Sequence, residues 1–274
     1  KLVRYGKPGQ EKPGLIDAEG RLRDLSAAVS DIGPDQLGDA ALARLQKLKT
    51  ETLPLVKGSP RMGCPVAGIG KFIAIGLNYA DHAAEAGMPI PAEPIVFLKA
   101  NTSLCGPNDN VEKPRESAKL DWEVELAIII GTKAKYVTEA DALKHVAGYA
   151  VCNDVSERYF QIERGGQWTK GKSHDTFGPV GPWLVTADEI ADVHKLGMWL
   201  DVNGERRQQS SLDQLIWNVP DILHELSKLY ALRAGDLVFM GTPAGVAALQ
   251  AGDTFDARLG DIARLQGHIA QAAV

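Results

Sequence analysis

The stretch KLDWEVELAIIIG, residues 119–131, limits what this chain can become more than any other. From 124 to 130 it reads as a buried strand, yet Asp121, Glu123 and Glu125 sit inside or against it. Strand side chains alternate between two faces, so 121, 123 and 125 share one face while Trp122, Val124, Leu126 and Ile128 share the other. Carboxylates buried without partners cost several kcal/mol each and take up protons instead. Something must neutralise them, either lysine and arginine partners or a divalent cation. Ligation by oxygen alone suits hard ions such as Mg²⁺, Mn²⁺ or Ca²⁺. A solvated edge strand or a structural salt bridge would also accommodate the two glutamates.

A strand of this kind needs a core around it. With 274 residues, 45% of them hydrophobic and 24% charged, the chain can supply one, as one large domain or a domain with a small appendage. The formal net charge of −5 gives no basic footprint, which argues against nucleic acid as a partner. No apolar run approaches the ~20 residues of a membrane-spanning helix. Cys64, Cys105 and Cys152 are scattered, odd in number and without a CxxC pair, as expected of buried thiols in a reducing compartment. The start lacks a signal-peptide pattern, so a cytoplasmic protein is expected.

Residues 1–60 are turn-rich, with short strands and one short helix at 39–49. KGSPRMGCPVAGIG (57–70), dense in Gly and Pro, marks the expected boundary between a small N-terminal region (1–65) and a main domain (66–274). Strands are expected at 71–77, 95–99, 123–130 and 149–154, with a hairpin at Asn203-Gly204 and a strand entering the turn of FMGTPAGV. Asn78 is expected to cap a short helix that Gly87 stops. A helix is expected over 138–146, with Thr138 and Asp141 as a weak capping box and Gly148 as its end. Further helical stretches should follow Asp154 and begin at Pro220, and 164–182 should be a long loop. Strands and helices without regular βαβ spacing indicate an α+β fold.

Asp154 stands where the apolar run YAVCN ends, so it reads as a helix N-cap or as a third acid completing an E-x-E…D set for one octahedral ion. His82 and Glu85, at i and i+3 on one short helix, are neighbours, and a Glu beside a His orients the ring and raises its basicity. An exposed polar helix face would look the same. Lys172, in GKSHDTFGP, is either a solvated loop lysine or a group that binds a substrate carboxylate or keto oxygen. Thr242 sits in a tight turn whose hydroxyl and backbone N–H groups can receive an anion.

In order along the chain, H-x-x-E (His82, Glu85), E-x-E (Glu123, Glu125), Asp154, G-K-x-x-D (Gly171, Lys172, Asp175) and G-T-P-x-G (Gly241 to Gly245) resemble the fumarylacetoacetate hydrolase family over about residues 70–260. The resemblance implies a mixed β-sandwich roll, a homodimer, and one Mg²⁺ or Mn²⁺ held by Glu123, Glu125 and Asp154. His82 with Glu85 would activate water, and Lys172 would contact the 2-oxo acid end of the substrate. Arg158 and Gln161, in DVSERYFQ, would lie near the substrate, and Thr242 would hold its carboxylate. The implied reaction is hydrolysis of a 2,4-diketo acid to pyruvate and a second acid. GQWTKGKSHDTFGPVGPWLVT most resembles members acting on 2,4-diketo-3-deoxy sugar acids such as the rhamnonate, whereas the short tail after Val246 is closer to acylpyruvases. Lyase, isomerase or decarboxylase action on a 2-oxo acid, and a non-catalytic metal-binding protein, are the alternatives.

Overall fold

The Val124–Ile130 strand runs through the middle of the molecule, and all seven of its residues are buried. It pairs antiparallel with Val146–Asn153 on one side and Leu237–Phe239 on the other. The computed structural model describes residues 1–272. The large sheet has the strand order Leu22–Asp24, Lys12–Ile16, Leu2–Tyr5, Gly178–Thr186, Val146–Asn153, Val124–Ile130, Leu237–Phe239, Phe72–Gly76 and Ile95–Leu98, with Leu104–Cys105 beside Gly178–Thr186. It is mixed, because Leu237–Phe239 runs parallel to Phe72–Gly76. A second sheet orders Glu205–Ser211, Gly197–Val202, Thr254–Leu259, Ala263–Gln271 and Val111–Lys113.

Alternation along the central strand sorts the layers. Trp122, Val124, Leu126, Ile128 and Ile130 enter one core with Met198, Leu200, Phe255 and Ala257 of the second sheet, which makes the β-sandwich. Ala127 and Ile129, on the opposite face, pack with Leu2, Leu15, Leu25 and Leu37 of the first 60 residues. Each large apolar side chain so buried contributes about 1.5–3 kcal/mol. The first strand extends the large sheet itself, pairing Leu2 with Leu184. Helices are short, as expected for α+β, and no helix among the described residues is long and apolar enough to cross a membrane.

Several elements differ from the sequence expectation. Only Glu139–Ala142 is α-helical in the 138–146 stretch; it tightens into a 3₁₀ turn at Leu143–His145, and the next strand begins at Val146. Gly148 is therefore no helix stop but a strand residue, where a Cβ would meet the Val185 carbonyl at 2.2 Å. Asn78 does not cap the Ala80–Glu85 helix; its amide donates to the carbonyls of Trp217 (3.0 Å) and Met240 (2.8 Å) and ties that helix to the core. The chain after Asp154 forms a two-residue strand and then a π-helical turn, Tyr159–Glu163. The expected loop 164–182 contains the short helix Thr169–Lys172 and is strand from Gly178. The Asn203-Gly204 turn is as expected, with φ of 52° and 81°, the pair a tight hairpin turn requires. The late helix starts at Val219, with Asn218 and Asp221 forming a capping box.

Candidate metal centre and active site

The strand register assembles the acids. Asn153 pairs with Val124 and Cys152 with Glu125, and one step further the Asp154 N–H donates to the Glu123 carbonyl at 2.8 Å. Residues opposite each other on antiparallel strands share a face, as do i and i+2 on one strand. Glu123, Glu125 and Asp154 therefore converge, each offering an oxygen within 4.8 Å of the others, and all three are buried. Asp154 is thus not a helix cap.

Basic side chains answer some of these acids. Arg158 donates from Nε to Asp121 Oδ2 at 2.8 Å, from Nη2 to Glu123 Oε1 at 2.5 Å and from Nη1 to Gln161 Oε1 at 3.0 Å. Lys172 Nζ donates to Glu123 Oε2 at 2.5 Å and Asp154 Oδ2 at 2.8 Å. Lys172 is no solvated loop lysine: it ends the Thr169–Lys172 helix and is 2% exposed. Gly171 brings it there, since a Cβ would meet the Glu157 carbonyl at 2.4 Å and hold the helix away. Lys99 Nζ donates to Asp154 Oδ1 at 2.5 Å and also to the Lys172 carbonyl.

Glu125 is the exception. It accepts from the Gly241 N–H at 2.7 Å and forms no ion pair among the described residues. Burial, then the nearby Asp154 and Glu123 carboxylates, push its carboxyl well above the ordinary range. Burial also pushes Glu123 up, but Arg158, Lys172 and His82 outweigh it and hold that carboxyl well below the usual value. Burial opposes the charge of Lys172, yet Asp154 and Glu123 outweigh it and leave the ammonium group raised. The cluster is one positive charge short at Glu125. Each carboxylate has roughly four lone-pair positions, so oxygens that already accept one or two hydrogen bonds still have room to ligate an ion. The donor set, three carboxylates and no sulfur or imidazole, fits a hard divalent cation.

The other expected site residues meet the same cavity. His82 is buried on the Ala80–Glu85 helix, with Nδ1 3.3 Å from Glu85 Oε2. Glu85 in turn accepts from the Gly245 N–H at 3.0 Å, so the G-T-P-x-G turn supports Glu125 through Gly241 and Glu85 through Gly245. His82, the three acids, Arg158, Gln161, Lys172 and Thr242 all line a cavity of about 150 Å³. The Thr242 hydroxyl has its one proton committed, donating to the Val124 carbonyl at 2.9 Å while accepting from Gln208 Nε2 at 2.8 Å. Its side chain is therefore a brace between turn and strand and has no proton left for a substrate carboxylate.

Three residues escaped the reading of the sequence. Lys99 ends the apolar run IVFL, the same cue that singled out Asp154. Gln208, buried in the outer hairpin, accepts from Val124 N–H at 3.0 Å and donates to Thr242 Oγ1 and the Pro243 carbonyl. Nothing in GERRQQSS marks it out. Trp168 walls the cavity from within the expected loop.

Comparison with known proteins identifies the family. Residues 71–270 match the fumarylacetoacetate (FAA) hydrolase C-terminal family. A Burkholderia multivorans protein, provisionally named a hydrolase with no substrate given, is 58% identical over 246 residues, 90% of this chain and 87% of its own. The maleylpyruvate hydrolase of Sphingobium sp. SYK-6, solved with manganese(II) ion and pyruvate, has a TM-score of 0.85 at 27% identity over 99% of each chain. The 2-hydroxyhepta-2,4-diene-1,7-dioate isomerase of Mycobacterium marinum has a TM-score of 0.77 at 31% identity, over 100% of this chain and 99% of its own. With the motifs, the sheet order and the family match in agreement, the chain belongs to the fumarylacetoacetate hydrolase family.

Proposed function

We propose that this protein is a metal-dependent hydrolase that cleaves the carbon–carbon bond of a 2,4-diketo acid, giving pyruvate and a second carboxylic acid. The observation that carries the reading is one cavity holding both a carboxylate cluster short of a cation and a histidine oriented by a carboxylate. Glu123, Glu125 and Asp154 would hold one Mg²⁺ or Mn²⁺. Bound there, the ion supplies Lewis-acid polarisation and a template for a chelating 2-oxo acid.

The chain's own residues account for the rest. Glu85 engages His82 at Nδ1, which leaves Nε2 to take a proton from water and stabilises the imidazolium that forms. The hydroxide adds to the C4 carbonyl and the C3–C4 bond breaks. The electron pair passes to the pyruvate half as its enolate, and the proton held at Nε2 returns to C3. Lys172, with Asp154 and Glu123 keeping it charged, places a positive charge beside the developing enolate. Arg158 and Gln161, joined by a hydrogen bond, stand on the other oxygen of the Glu123 carboxylate that Lys172 holds.

Isomerisation of a 2-oxo acid is the second reading, favoured by the likeness to the M. marinum isomerase. It needs no attacking water. The test is pyruvate release, followed by coupled assay, from aliphatic, aromatic and sugar-derived 2,4-diketo acids with Mg²⁺ or Mn²⁺. Pyruvate and the matching acid in equal amounts support hydrolysis. Double-bond migration in a 2-oxo dienoate with no pyruvate released from any diketo acid would replace it with isomerisation. A cytoplasmic homodimer belongs to the same proposal and rests on the family resemblance; sedimentation equilibrium measures the dimer mass directly.

A further inference from the structure

The cavity changes character from floor to mouth. Its floor is the buried acid cluster with the cations that answer it. Much of the remaining lining is apolar, with Met88, Phe97, Ile162, Trp168 and Val246, and the Phe97 ring centroid lies 5.3 Å from Lys172 Nζ, where this apolar wall meets the floor. Met88 and Ile162 are 45% and 59% exposed, which places them at the mouth. Two of these groups are fixed by packing: the Phe97 and Trp168 rings meet edge-on with centroids 5.3 Å apart, and Trp168 lies so close to Gly76 that a Cβ there would meet the indole at 2.4 Å.

The only lysine and arginine among the residues lining the cavity are Lys172 and Arg158. Both are consumed on the floor, Arg158 by Asp121, Glu123 and Gln161, and Lys172 by Glu123 and Asp154. Gln161, the one side-chain amide present, is buried against Arg158. A substrate anchored through its 2-oxo acid end would present its far end to a wall with no lysine or arginine to receive a second carboxylate and, apart from His82, which Glu85 engages, few partners for hydroxyl groups. Desolvating such groups without partners disfavours them strongly.

We infer that the distal group of the substrate is uncharged and apolar, a short alkyl or aryl acyl chain, and that Trp168, Phe97 and Ile162 select it against dicarboxylate and polyol analogues. This rests on the proposal that the acid cluster anchors the 2-oxo acid end. Calorimetric titration of the Mn²⁺-loaded protein with pyruvate, 2-oxohexanoate and 2-oxoadipate tests it without turnover, because none of the three has a bond to hydrolyse. The hexanoate analogue is expected to bind at least about tenfold more tightly than the adipate one, the scale on which apolar pockets discriminate. Trp168→Ala should remove most of that preference while leaving pyruvate binding unchanged. Ile162→Arg, a change at an exposed position, should bring the adipate analogue to parity or better. Adipate binding equal to or tighter than hexanoate in the unaltered protein, with pyruvate bound, overturns the inference alone. Failure of all three to bind the loaded protein overturns the anchoring proposal and the inference with it.

Discussion

Glu123 and Glu125 are two residues apart on one strand, yet they titrate in opposite directions: burial and the Asp154 and Glu123 carboxylates raise Glu125, whereas Glu123 has ion pairs to both Arg158 and Lys172 that outweigh its burial. The folded Glu125 carboxyl titrates above its unfolded value of about 4.3. Between those two values the folded chain binds more protons than the unfolded chain, so metal-free stability falls as pH rises through that window. Glu125→Gln removes the charge while an amide oxygen can still accept from Gly241. In EDTA at pH 7 its melting temperature should exceed that of the unaltered protein by roughly 2–4 °C for each kcal/mol relieved, and Mn²⁺ should add nothing. An equal or lower melting temperature contradicts this. His82 lies outside the acid cluster, so His82→Ala should lower kcat by about 10²–10⁴ and leave metal affinity unchanged; equal loss of both would remove it as the base. At this scale alternation put Glu123 and Glu125 on one face, and the end of an apolar run singled out Asp154. Lys99 was passed over although it ends an apolar strand as Asp154 does, and the bracing of Thr242 by Gln208 was not legible because the two are 34 residues apart in sequence.

Gln208 shows how one element disciplines another. Its hairpin lies in the second sheet, and its carboxamide bridges to the strand between Glu123 and Glu125 and to the turn that supports Glu125. Gln208→Ala leaves a buried Val124 N–H without its acceptor, a loss of about 1–3 kcal/mol. Urea denaturation should record that loss, and Mn²⁺ affinity should fall with it; unchanged stability would mean that water replaces the amide. Local signals worked where the deciding contacts are local, as at Asn203-Gly204 and the Asn218 cap. They failed where a neighbouring strand decides. Gly148 reads as a helix stop until the Val185 carbonyl is set against it, and the polar stretch before Lys172 reads as loop until Gly171 packs on Glu157.

At the scale of the molecule, two sheets and a covering N-terminal layer hold the acid cluster at the ends of central strands, dry on one side and open to a cavity on the other. The α+β class was legible from element spacing. The joining of the first strand to the large sheet was not, because Leu2 pairs with Leu184 across most of the chain and no local pattern encodes that contact. Acids from two paired strands would hold one divalent ion, and titration of Mn²⁺ into the EDTA-stripped protein, read by electron paramagnetic resonance, measures that binding. One ion per chain is expected, with Glu125→Ala and Asp154→Ala, checked for native circular dichroism, each losing more than the ~10–100-fold that changes outside the ligand set cost. Tight binding of one ion per chain to both folded variants would contradict it.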